Sequence, residues 1–171
     1  MKKYISMFMV ALMAAFTFAS CDPETDEKAG GTAVEKMAGQ WVVTVDQVDE
    51  NGNVIEKDPG NKGTFELNTY NTSTNDANKM WIEEGTFWDV KMKVNITDYN
   101  NGKFTADANA AYNIEGDEDD QVEYLNGQVL YGQGKNLHGM PTDSICITVK
   151  FDDADGAIFR YSGIRYSGFQ E

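Results

Sequence analysis

Hydrolysis by a side-chain nucleophile needs a base within hydrogen-bond reach, most often a histidine. This 171-residue chain holds one histidine, His138, in the Gly-rich stretch GQGKNLHGMP, and two cysteines, Cys21 and Cys146. No G-x-S-x-G turn occurs. Cys146 alternates outward from Ile145 and Ile147 in SICITVKF, with only Lys150 near enough to activate it, and so reads as a structural thiol. One His and one Cys fall short of the ligand set that zinc takes, so no metal site is expected. Carboxylates are plentiful. Residues 115–123, EGDEDDQVE, place Glu115, Asp117, Glu118, Asp119 and Asp120 in one loop, which suits either Ca²⁺ or a plain solvated charge run. FDDADGA (151–157) has Phe151 where a Ca²⁺ loop needs its first ligand, and it reads as a hairpin turn. No catalytic residue and no cofactor can be assigned from these groups.

Cys21 invites different chemistry. Before it, Lys2 and Lys3 precede an apolar run from Ile5 to Ala19, broken only by Ser6 and Thr17. The run is shorter than the ~20 residues that span a bilayer and has the layout of an export signal. Phe18-Ala19-Ser20-Cys21 resembles the lipobox of bacterial lipoproteins, with Phe18 where Leu is usual. That resemblance implies a mature N-terminus at Cys21 carrying diacylglycerol and an amide-linked chain such as palmitate. Each buried methylene adds about 0.8 kcal/mol of anchoring. The tract Asp22, Glu24, Asp26, Glu27 resembles the surface-export signal of Bacteroides-type lipoproteins, although a solvated spacer has the same composition. The expected organisation is a signal peptide over 1–20, a lipidated cysteine and acidic tether over 21–33, and a folded domain over 34–171. The expected location is the outer membrane, lipid-anchored and surface-exposed, with the periplasmic face second.

The formal charge is −14, and loss of Lys2 and Lys3 would deepen it. Such a chain is repelled by phosphates, which argues against nucleic acid as a partner. With Cys21 acylated, Cys146 has no partner for an intramolecular disulfide, so the fold must rest on its core.

The positions just named sit on elements with a period of two. In WDVKMKVNI, Trp88, Val90, Met92, Val94 and Ile96 share one face, and Asp89, Lys91, Lys93 and Asn95 the other. Ile145, Ile147, Val149 and Phe151 repeat the pattern, as do Trp41, Val43 and Val45. Further strands are predicted over 63–70, 79–84, 103–112, 122–132 and 157–169, with TAVEKMAG forming at most one helical turn. ENGN (50–53), YNNG (99–102) and DADG (153–156) supply the residues that tight hairpin turns require. Eight or nine such strands predict an all-β, antiparallel sandwich or closed barrel.

GQW (Gly39-Gln40-Trp41) opens the first strand and resembles the G-x-W signature of lipocalins and other calycins. The resemblance implies an eight-stranded up-and-down barrel, with a basic residue of the last strand covering the Trp. Arg160 and Arg165, the chain's two arginines, stand there. The stretch DSICITVKFDDADGAIFRYSGIRYSGF, taken with the lipobox and Trp41, resembles the lipocalin-like lipoprotein family described as "lipid-binding putative hydrolase". Separately, Asp143-Ser144-Ile145 fits a short O-glycosylation acceptor pattern.

An eight-stranded barrel is filled by side chains or holds one small ligand. Phe104, Ala106, Ala108, Ala110 and Tyr112 would share a face, so three alanines there could leave room. The candidate pocket lining is Val90, Met92, Ala106, Ala108, Ala110, Phe151 and Phe159. Trp81, Tyr70, Tyr124 and Tyr166, on the other parity, could form an outer contact patch. The first reading is an outer-membrane-anchored lipoprotein that binds a small apolar ligand such as a lipid or fatty acid. The second is a non-catalytic accessory subunit of an outer-membrane assembly, with a filled barrel and a protein partner. A hydrolase comes third.

Overall fold

The computed structural model describes residues 31–106, 110–111 and 121–168. Its strands are β1 (Gly39–Val48), β2 (Val54–Lys57), β3 (Phe65–Asn71), β4 (Lys79–Glu84), β5 (Val90–Asp98), β6 (Lys103–Ala106), β7 (Ala110–Ala111), β8 (Gln121–Lys135), β9 (Pro141–Phe151) and β10 (Ile158–Arg165). All pair antiparallel in one sheet, and β10 returns to β1 over eight residue pairs from Trp41↔Arg165 to Val48↔Ile158. This closure selects the barrel over the sandwich and joins the first and last strands of the ring, which would otherwise be its edges. β6 and β7 both pair with β8 and share one position in the ring, while β2 is a short flap on the end of β1. Eight positions therefore circle the barrel, as the G-x-W resemblance implied.

Alternation decides what points inward. Trp41, Val43 and Val45 of β1, Met80 and Ile82 of β4, and Val90, Met92 and Val94 of β5 are all buried. Ile145, Ile147, Val149 and Phe151 of β9 complete the same apolar interior. Phe104 lies over Gly127, its register partner across β6 and β8. A Cβ at Gly127 would stand 2.1 Å from that ring, so the glycine is what lets it lie flat.

The turns follow their residues. The Asp49 carboxylate accepts from the Asn51 and Asn53 N–H groups around Gly52, whose φ is 81°. Asp155 and Gly156 both take positive φ in the β9–β10 turn. The turn at 32–38 is a single one, closed by Met37 and Ala38 N–H to the Val34 carbonyl.

Three expectations need correction. Trp88 does not continue the β5 face, because the strand begins at Val90 and Trp88 belongs to the preceding loop. Ile96 is only half-buried, where a register shift between Ile96 and Asp98 turns the strand. The last strand ends at Arg165 instead of running to 169. The flap β2 had no counterpart among the predicted strands, although the turn that leads into it did.

Candidate ligand site at the barrel mouth

The two ends of the barrel are built differently. At one end the 32–38 turn buries Val34 and Met37 beneath Trp41. The Trp41 indole N–H donates to Thr69 Oγ1 at 2.9 Å, and that hydroxyl donates to the Met37 carbonyl at 2.6 Å. The Arg165 guanidinium lies 4.4 Å from the Trp41 ring centroid. It also donates to the Ala38 and Lys36 carbonyls and pairs with Asp143 at 3.1 Å. Gly39 is needed here because a Cβ would stand 2.2 Å from Arg165 Nη1. Arg160 takes no part in this arrangement. It pairs with Asp46 at 3.6 Å and donates to the Gly52 carbonyl, at the opposite end of the β1–β10 seam.

At that opposite end, the mouth, the loop 85–89 folds inward from between β4 and β5. Its anchor is Glu84, the last residue of β4, whose side chain is 3 % exposed. Glu84 Oε2 accepts the Thr86 and Phe87 N–H groups at 2.7 and 2.9 Å, and Oε1 accepts the Trp88 N–H at 2.9 Å. The Tyr161 hydroxyl donates to Oε1 at 3.1 Å. Four donors around one carboxylate satisfy a buried group that would otherwise be costly. Burial first, then the neighbouring Glu84 charge, holds the Tyr161 phenol well above its ordinary pKa. Asp89 closes the loop with a φ of 56°.

The loop thereby delivers two rings into the mouth. Trp88 stacks on Phe151 with centroids 4.9 Å apart and planes 7° apart, and it lies 5.3 Å from Phe159. Phe87 meets Phe159 and Tyr161 edge-on at 5.0 and 6.0 Å. Phe65 adds an edge contact to Tyr161. Beneath these rings an apolar cavity of about 10 Å³ remains, room for one water. Its wall includes Leu67, Ile82, Val90, Met92, Phe151 and Tyr161, with Glu84 as its charged member.

Of the predicted pocket residues, Val90, Met92 and Phe151 line this cavity, and Phe159 stands against the plugging rings. Ala106 is buried in the interior without bordering the cavity. Ala110 lies in β7, and Ala108 falls outside the described residues, as do Cys21 and the acidic loop of Glu115–Asp120. His138 is exposed in the β8–β9 loop at the Trp41 end, away from the mouth. Cys146 faces outward, and burial raises its thiol pKa. On the outer wall Tyr70 donates to Glu83, which pairs with Lys91, and Lys93 covers Trp81 at 4.9 Å. Glu84, Phe87 and Tyr161 went unnoticed in the sequence. The available signal was Glu84 itself, a carboxylate on the parity of Met80 and Ile82.

Comparison with protein-family models matches residues 26–170 to the family described as "lipid-binding putative hydrolase", and the chain belongs to that family. No curated protein matches the chain.

Proposed function

We propose that this member of the lipid-binding family takes a small apolar ligand, such as a lipid, into the mouth of its barrel, in the place now held by the Phe87 and Trp88 rings. One observation carries the reading: among the described residues, a loop and no strand lays its two rings over the mouth, above a largely apolar lining. The closed form has room for a water and not for an acyl chain, so binding requires the two rings to leave. We further propose that acyl chains on Cys21 hold the protein at the outer membrane, facing the cell surface. The lipobox-like Phe18–Cys21 and the acidic tract behind it support this.

The filled interior favours a second reading, an accessory subunit that works through its outer face with a protein partner. Native mass spectrometry of the purified protein, before and after incubation with a lipid mixture, separates the two. A discrete added lipid mass supports the binding protein. A mass that stays bare throughout supports the accessory subunit. Hydrolysis has less support, since His138 stands at the far end from the mouth.

A further inference from the structure

Glu84 and Tyr161 are polar groups placed where the ligand of the proposed function would lodge. The buried polar and charged side chains among the described residues are Thr69, Thr72, Glu84 and Asn136, so Glu84 is the one charge in that set. Among the described residues that line the cavity there is no Lys, Arg or His. A carboxylate-headed ligand would find no cation there and would meet a fixed anion instead.

The hydrogen-bond inventory points the same way. Glu84 offers only acceptor sites, and three of the four donors it receives come from the loop that must open. When the rings leave with their backbone, those N–H groups leave too. A buried carboxylate stripped of three donors needs replacements. The remaining donor, the Tyr161 hydroxyl, is already committed to Glu84, so its oxygen can only accept from a newcomer. With the loop swung out, the pocket floor is acceptor-rich and negative.

We propose, on the basis of the lipid-binding reading, that Glu84 and Tyr161 select a single-chain amphiphile whose head donates hydrogen bonds and bears no negative charge. A fatty alcohol or a monoacylglycerol has such a head, and a free fatty acid does not. The ligand's hydroxyl donates in place of one of the Thr86, Phe87 and Trp88 N–H groups, water entering with the head serves the remaining acceptor sites, and the chain lies along Val90, Met92 and Phe151. The loop and the ligand head thus compete for one carboxylate, which keeps the mouth shut until a donor arrives.

The test compares hexadecanol with hexadecanoate, which share a chain and differ only in the head, by competition binding to the full-length protein at about pH 8, where the acid is ionised. Hexadecanol is expected to bind at least about tenfold tighter, and Glu84→Gln is expected to narrow that ratio to about threefold or less. Hexadecanoate binding as tightly as the alcohol, or more tightly, overturns this inference and leaves the lipid-binding reading standing. An unchanged ratio in Glu84→Gln overturns the role of Glu84. Failure of both ligands to bind overturns both the inference and the reading beneath it. Should Glu84→Gln not fold, hexadecylamine on the unaltered protein replaces it, because its cationic head must bind at least as well as the alcohol, and weaker binding refutes the inference.

Discussion

Replacing Trp88 by Ala should move two properties in opposite directions. The indole stacks on Phe151 at 4.9 Å and touches Phe159 and Phe87 at 5.3 and 5.6 Å. A fully buried Trp→Ala change costs about 3–5 kcal/mol, and an aromatic pair adds about 0.5–1.5 kcal/mol beyond its area. Trp88 is half-buried and sits on a loop that can partly collapse, so the loss falls at or below the bottom of that range, about 2–3 kcal/mol. For a domain of this size the loss corresponds to roughly 5–10 °C in Tm. The same change vacates the mouth, so uptake of an uncharged apolar fluorophore should rise as stability falls. A tightly bound ligand should then restore stability, by about 2.7 kcal/mol at a hundredfold excess over its Kd. Thermal unfolding with and without hexadecanol, together with fluorophore titration, measures both effects. A destabilised variant with no gain in uptake would show that the loop is ordinary packing and no gate. An unchanged Tm would show that Trp88 is not held against Phe151 at all.

Other consequences can be checked with simpler variants. Arg165→Leu should cost about 2 kcal/mol in urea unfolding, since it removes the cover of Trp41 and two carbonyl contacts together. Gly39→Ala should displace the same guanidinium, so the double variant should lose clearly less than the sum of the two singles, and strict additivity would contradict the contact. Cys146 should react with iodoacetamide in the native protein more slowly than a free cysteine at neutral pH, because burial raises its thiol; a rate equal to the unfolded chain's would refute that. Asp98 is held below its ordinary 3.8, first by the Asn101 side-chain amide and then by the Asn101 backbone N–H. A folded value below the unfolded one stabilises above the unfolded value and is lost as pH falls through the folded one. Asn101→Ala should therefore reduce stability near neutral pH and leave it nearly unchanged in strong acid, as read from denaturant midpoints across the range.

The alternation of Trp41, Val43 and Val45, or of Ile145, Ile147, Val149 and Phe151, is set by the pleat, so a linear string displays it. The hairpin at 153–156 was equally visible, because Asp155 and Gly156 are residues that tolerate the positive φ they adopt. Trp88 misled for a definite reason. It has the parity of Val90, yet Asp89 between them takes a φ of 56° and breaks the strand, a local bend that hydrophobic period cannot reveal. Glu84 stood in plain view on the apolar face of β4. Its partners did not, since three are backbone groups of its own loop and the fourth, Tyr161, is 77 residues away. The choice between Arg160 and Arg165 likewise rests on which end of the seam each occupies, a matter of register that only the closed barrel decides.

The seam between β1 and β10 also bears on how the molecule comes to be folded. Arg165 grips the Ala38 and Lys36 carbonyls across 127 and 129 residues of chain, so the first strand waits for the last. Contacts of such long sequence separation slow folding, because the entropy of closing the loop is paid before any contact rewards it. Before β10 arrives, β1 lacks one of its barrel neighbours and Trp41 lacks its cover, and the sheet stays open. A chain proposed to cross a membrane before it folds gains time from that delay, since the β1–β10 seam cannot close until the C-terminal end has followed.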